Sequence, residues 1–445
     1  MSTLVTPLQV LARRRTRGWV TKGVKCAATL VVLLVLLETS DLLPPELFAR
    51  RLSEQTAGMQ FDFFGWEWSA MLAKVGMELI APQDTLKEAQ RQRLVTDYID
   101  VLARSNELEG RISAIHSRLQ DQDAVREAEP WDKELSRLRT WMRARQDMVE
   151  GILEEQVSEE LEAESLGKWG YVWPPVKIRL TELPLLLVVS SRAAITREAD
   201  VDLKDGLELV EQERLEDRVD RTFGSMRSLV TPIGGLSAYP AMILEHPSLV
   251  WLTDTFAHEW THHFLLFHPL GYGYRESGEM TSINETTCDI VGREVGRRVI
   301  LRYYPALANE LPPLPAPPAS PPMSAGEIIW PDEPPADQFD YGREMRTTRI
   351  RVDELLAEGQ IEEAEAYMEE RRRLIVDHGY SLRKLNQAYF AFYGSYALSP
   401  SMANPIGGQL DWLRAQSPTL RGFLLRVAAV ATHEQFLGLL GQGQK

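Results

Sequence analysis

His258-Glu259-Trp260-Thr261-His262 stands inside the stretch 253–269, which reads TDTFAHEWTHHFLLFHP. Four of the chain's eight histidines fall between 258 and 268. On a helix, residues four apart lie about one turn apart on the same face, so the imidazoles of His258 and His262 can reach one ion at about 2.1 Å. Glu259 lies about 100° round the helix, beside such an ion rather than on it. There a carboxylate can take a proton from water that the ion acidifies. Thr253-Asp254 reads as an N-cap pair and Pro269 as a stop, so the expected helix runs from about 253 to 268.

A catalytic zinc site takes three histidine or carboxylate ligands and leaves the fourth position for water. Glu285, His268, Glu276 and Glu279 are the candidates for the third. If the helix continues, His268 points about 240° away from His262, which suits a helix-end residue favoured there by the dipole. His263 is likewise off the metal face. A second helix over 281–300 would place Glu285 and Asp289 on one face. Glu285 could then be a ligand, and Asp289 could accept a hydrogen bond from the far nitrogen of a ligand histidine. Glu285 is preferred.

Upstream, 184–190 (PLLLVVS) reads as a buried strand and 204–222 as an exposed helix. The segments 228–232 and 238–244 read as short strands around the turn Gly234-Gly235, and the second of them is a candidate edge for an extended peptide. Strands followed by helices indicate an α+β domain over 169–304. Before it, 84–168 is charged and nearly free of Gly and Pro, with Leu94, Tyr98, Val101, Leu108, Ile112 and Ile115 on a 3-4 repeat. An antiparallel coiled-coil hairpin with a break near 121–130 is expected, and this arm is a candidate for binding a protein partner. After the domain, 305–335 holds eleven of the 26 prolines, so 305–340 reads as a linker and 341–445 as helical, with a pair broken at Gly359.

The N-terminus differs from the rest. Residues 1–25 hold six basic side chains and no acid, and a twelve-residue apolar run follows from Cys26 to Leu37. The expectation is a basic cytoplasmic tail, then a signal anchor over 26–43 that places the remainder outside the cytoplasm in a single-pass membrane protein. Residues 44–83 are expected as an amphipathic helical segment. Of the net charge of −15 over 445 residues, the tail contributes +6, so about −21 is carried by the rest. This balance argues against nucleic acid as a partner, because phosphate binding needs a basic footprint. Two cysteines exclude a disulfide scaffold.

With Asn284-Glu285-Thr286-Thr287-Cys288-Asp289 placed 23 residues after His262, the region 171–300 resembles the gluzincin metallopeptidases. Their signature is HExxH followed by a helix bearing N-E-x-x-x-D. The resemblance implies a zincin-like fold, one zinc ion held by His258, His262 and Glu285, Glu259 as general base, and Asp289 as the support of a ligand histidine. The spacing is a few residues longer than in thermolysin-like or aminopeptidase members, through Gly271-Tyr272-Gly273-Tyr274. The G-x-M-E-N motif of the aminopeptidases is missing, and Ala238-Tyr239-Pro240-Ala241-Met242 stands there. A fainter likeness to bacterial aminopeptidase-like proteins runs through Leu385-Asn386-Gln387-Ala388 and Gly394-Ser395-Tyr396. By it Tyr396 stabilises an oxyanion, while the spacing of Tyr389, Phe390, Phe392, Tyr393 and Tyr396 also fits a core stripe. The expected whole is an α+β zincin-like catalytic domain with a coiled-coil hairpin, a helical C-terminal region and one membrane anchor helix. It would act as a zinc-dependent metallopeptidase on a peptide or protein substrate. The alternative is a membrane-tethered coiled-coil scaffold with a structural or degenerate zinc site.

Overall fold

The run expected as a buried strand forms one, Leu185–Ser191, and its apolar character on both faces has a direct cause. Leu186 and Val188 face one hydrophobic layer, while Leu187 and Val189 face another. Both faces of the sheet are covered, so no polar alternation is needed. The protein is described here by a computed structural model of residues 47–442, apart from 81, 119–120, 169–170, 315, 324–338 and 397–403. The fold is mixed α/β, mostly helical, with small sheets.

In chain order, α1 (Leu47–Thr56) and α2 (Phe63–Ile80) precede a helical hairpin, α3 (Glu88–Arg118) and α4 (Asp121–Arg143). Then come α5 (Gln146–Ala163), the short ladder β1 (Gly167–Lys168) and β2 (Tyr171–Val172), β3 (Ile178–Leu180), β4 (Leu185–Ser191) and β5 (Arg197–Leu203). They are followed by α6 (Leu209–Thr222), β6 (Met226–Pro232), β7 (Gly235–Leu236), β8 (Ala241–Ile243), α7 (Leu249–Leu265), α8 (Pro269–Tyr272) and α9 (Gly278–Tyr303). The C-terminal helices are α10 (Tyr341–Ala357), α11 (Ile361–Asp377), α12 (Gln387–Tyr393), α13 (Ile406–Ala415), α14 (Leu420–Ala428) and α15 (His433–Gln442). One sheet has the order β5-β4-β6, all antiparallel, with Leu187 opposite Val201 and Val230. The other has the order β3-β8-β7, parallel between β3 and β8 and antiparallel between β8 and β7.

Several expectations are corrected. The hairpin is narrower than 84–168: α3 and α4 form it, whereas α5 buries Val149, Ile152, Leu153, Val157 and Leu161 in the main core. Pro130 lies inside α4 and does not break it. Ser105, which stands between Val101 and Leu108 on that repeat, is buried, its hydroxyl donating to Val101 O at 2.9 Å. The motif helix starts at Leu249, earlier than expected, because Ser248 accepts the amide of Trp251 and so caps it. The strand expected over 238–244 shortens to β8 and is central, not an edge, so the free edges of that sheet are β3 and β7. Strand β5, whose sequence READVDL mixes charge with small residues, carries no strong strand signal and was not expected.

The expected anchor over 26–43 and the basic tail lie outside the described residues. Among the described residues no helix is long and apolar enough to cross a membrane. The single-pass membrane localisation is therefore corrected, since the structure gives it no support. The aromatic helix α2 is tied to the rest of the protein by its charged side chains. Its Lys74 is paired with Glu150 at 2.6 Å and Glu154 at 2.8 Å, and its Glu67 accepts the amide of Tyr239 at 3.1 Å.

The core that holds the site runs through α3, α5, β3, β8, α7 and α9 into α13–α15, so the expected boundaries near 169 and 305 cut across one packed interior. Leu252, Phe256 and Trp260 of α7 are fully buried, each contributing roughly 1.5–3 kcal/mol. The indole of Trp260 donates to Pro174 O at 2.8 Å. Helix α9 crosses α7 closely because Gly292 and Gly296 face it. A Cβ at Gly296 would fall 2.0 Å from Asp254 Oδ1, and one at Gly292 would fall 2.7 Å from Asp254 O. That close approach delivers the α9 carboxylates to the histidines of α7.

Candidate metal centre

His258 and His262 lie one turn apart on α7, and their Nε2 atoms are 3.1 Å apart. From α9, Glu285 places Oε2 3.5 Å from Nε2 of each. Asp289, one turn further along α9, meets the other nitrogen of His258, with Oδ1 2.9 Å from Nδ1. Cys288 Sγ approaches Nδ1 of His262 at 3.4 Å. The Tyr274 hydroxyl, from the segment between α8 and α9, donates to Glu285 Oε1, and its ring meets His262 edge-on at 6.1 Å.

His258, His262 and Cys288 form a group that could hold a metal ion, with one donor atom from each within 4.8 Å of the others. The sulfur, however, lies against the nitrogen of His262 opposite the one that faces His258 and Glu285. Burial, with the carboxylates of Glu285, Asp289 and Glu259 adding to it, pushes the Cys288 thiol well above its usual pKa.

Charge follows geometry here. Burial opposes ionisation of Glu285, but His262 and His258 outweigh it and hold its carboxyl well below the usual range. Burial likewise opposes charge on His258, yet the hydrogen bonds with Asp289 and Glu285 keep its imidazole well above its usual pKa. Glu259 is buried between the histidines and β7. Burial raises its carboxyl pKa, and His258, His262 and Ser237 pull in the other direction. Gly235 of β7 makes room for it, because a Cβ there would fall 2.1 Å from Glu259 Oε1.

The competing third ligands are placed elsewhere. His268 caps α8 and turns back, its Nδ1 2.8 Å from Phe264 O and its ring stacked on Phe264. Glu276 and Glu279 are exposed. His263 is buried with Nε2 2.6 Å from Ala238 O, which ties α7 to the segment before β8. Asp254, expected as a cap, is inside α7, and burial pushes its carboxyl up to about 7.

Tyr396 reaches the same neighbourhood from the C-terminal region. Its ring packs on Phe392 at 5.8 Å, as a core stripe would, and burial together with the charge of Glu285 raises its phenol well above 10. The sequence reading missed Cys288 and Tyr274 as neighbours of the expected ligands. Cys288 had a usable signal, since it follows Glu285 by three positions on one helix face. Tyr274 had none beyond its place in the lengthened loop. Comparison with family models, with curated proteins and with solved structures finds no match to this chain.

Proposed function

We propose that the protein is a zinc-dependent metallopeptidase of zincin-like construction, with His258, His262 and Glu285 as ligands and Glu259 as general base. The observation that carries this reading is the donor triangle of 3.1, 3.5 and 3.5 Å between the two Nε2 atoms and Glu285 Oε2. Ligands about 2.1 Å from a tetrahedral ion stand roughly 3.4 Å apart. Three lone-pair donors at that spacing, largely withdrawn from water, repel unless a cation or a proton lies among them. Two imidazoles and one carboxylate are the donor set that suits zinc and leaves a coordination position open.

Zinc so held supplies Lewis-acid polarisation of a carbonyl and lowers the pKa of water toward about 7. The chain's own residues do the rest. Asp289 and Cys288 each occupy the Nδ1 side of one histidine, which leaves both Nε2 atoms as donors to the ion. Tyr274 takes Oε1 of Glu285 and leaves Oε2 free. Glu259, with its pKa raised by burial, accepts a proton from water and returns it to the departing amine. The Tyr396 hydroxyl, kept protonated beside Glu285, can donate to a substrate oxygen. The free edge of β7, against which Glu259 rests, offers backbone groups to an extended peptide in place of β8.

The test measures zinc and peptide hydrolysis on the purified full chain. About one zinc per chain is expected, retained in Glu259→Gln while hydrolysis falls by about 10³-fold or more, and lost in His262→Ala. Absence of zinc from the intact chain, or unchanged turnover in Glu259→Gln, overturns the assignment. Zinc present with no hydrolysis would instead indicate a structural site.

A further inference from the structure

Strand β5 carries a charged side chain that the proposed chemistry does not use. Ser190 of β4 pairs with Arg197 although Val189 pairs with Ala199, so Glu198 is an extra residue and β5 is bulged there. In a regular strand, residues 197 and 200 would face opposite sides. The bulge brings them to the same side, and Arg197 Nε donates to Asp200 Oδ1 at 2.7 Å. Among the described residues this is the only hydrogen bond of the guanidinium, so the edge formed by its two Nη groups is left for another partner. The side chain as a whole is 21% exposed.

The guanidinium lies among residues that border the candidate metal centre. Its Cζ lies 5.5 Å from the ring centroid of Phe392, on which Tyr396 packs. Its charge acts on the phenols of both Tyr274 and Tyr396. Tyr274 in turn holds Glu285. On the outer side, Asp200 Oδ2 is 3.8 Å from Arg275 Nη2, which anchors the acid and leaves Arg197 the inner position.

We infer that Arg197 is a substrate-specificity residue whose Nη edge binds a carboxylate of the peptide, so that the enzyme favours substrates carrying a free carboxylate close to the scissile bond. This deepens the peptidase reading and rests on it. A planar guanidinium with one edge fixed by Asp200 and the other open is suited to bidentate carboxylate binding, and being partly desolvated it gains more from that pair than a surface arginine would. The carboxylate is either the chain-terminal group or an Asp or Glu side chain, since both present the same two oxygens.

The test uses three probes on full-length, zinc-loaded Glu259→Gln protein, so that binding is read without turnover: acetyl-Ala-Ala-Phe-Ala as free acid, the same peptide as amide, and acetyl-Ala-Ala-Phe-Glu amide. Calorimetry is expected to show at least one of the two carboxylate-bearing peptides binding at least tenfold tighter than the first amide, with the preference lost when Arg197→Gln is added. Tight binding of the Glu amide alone would assign the site to a side-chain carboxylate, of the free acid alone to the chain terminus, and of both to a carboxylate from either source. Because Arg197→Gln strands Asp200, the paired variant Arg197→Gln/Asp200→Asn is measured alongside and is expected to lose the preference too. Equal binding of all three peptides, or a preference that survives both variants, overturns the inference. A preserved preference with no hydrolysis by the unsubstituted protein would remove the peptidase reading and leave the carboxylate site standing.

Discussion

Two clusters of buried acids and bases stand in this molecule, and they are built on opposite principles. In the first, Glu150 and Glu154 of α5 are met by Lys74 of α2 and by Lys177, and their carboxylates also accept the amides of Leu180 and Ile178. Donors and acceptors alternate, so every charge is neutralised where it lies. Burial opposes the charge of Glu154, but Lys177 and Lys74 outweigh it and hold its carboxyl below the usual range. In the second cluster, His258, His262 and Glu285 turn three lone-pair donors toward one another while Asp289, Cys288 and Tyr274 occupy their outer sides. Burial alone does not separate a structural ion cluster from a ligand set. The direction in which the acceptors point does.

Several changes would break or sharpen that contrast. Glu259→Gln is expected to cost the most, about three orders of magnitude or more in kcat with zinc retained, as read by kinetics beside metal analysis. Glu285→Ala should remove the metal with a small change in secondary structure, whereas Glu154→Ala should leave zinc bound and lower stability by about 3–5 kcal/mol, because Lys74 and Lys177 lose a buried partner. Denaturant unfolding and metal analysis run on both variants would exchange their outcomes if the two clusters were misassigned. Gly235→Ala pushes on the Glu259 carboxylate and should lower kcat about 10–100-fold with the melting temperature near that of the parent.

The smallest effect concerns Asp202, whose carboxyl burial pushes up to about 6, with Oδ1 left without a hydrogen bond. A folded-state pKa above the unfolded value near 3.9 favours folding below pH 4, and that contribution is lost as pH rises through about 6. Asp202→Asn should therefore raise stability at pH 7 by up to about 3 kcal/mol and flatten its change between pH 4 and 6. Thermal melts at pH 4 and pH 7 check this, and an unchanged slope would remove Asp202 as its source.

Elements with a strong local period were legible in the sequence. The helices bearing the motif and Glu285, the strand of β4, and the helical pair parted at Gly359 with φ +75° lie close to where they were read. Elements that depend on partners were not. Strand β5 exists because β4 offers it a ladder, and α5 leaves the hairpin because its glutamates find lysines in α2 and near β3. The membrane expectation over 26–43 rested on composition alone and gains nothing from the described residues.

By itself the sequence determined the helical spacing of His258 and His262, the place of Glu259 beside them, and the one-turn spacing of Glu285 and Asp289, because these follow from 3.6 residues per turn. Whether the two helices meet was decided only by tertiary structure. Gly292 and Gly296 let the α9 backbone approach α7 closely enough for carboxylate and imidazole to share a site. The thiol of Cys288, the hydroxyl of Tyr274 and the bulge that aims Arg197 belong to that same level, because close packing between distant segments has no local signature in the chain.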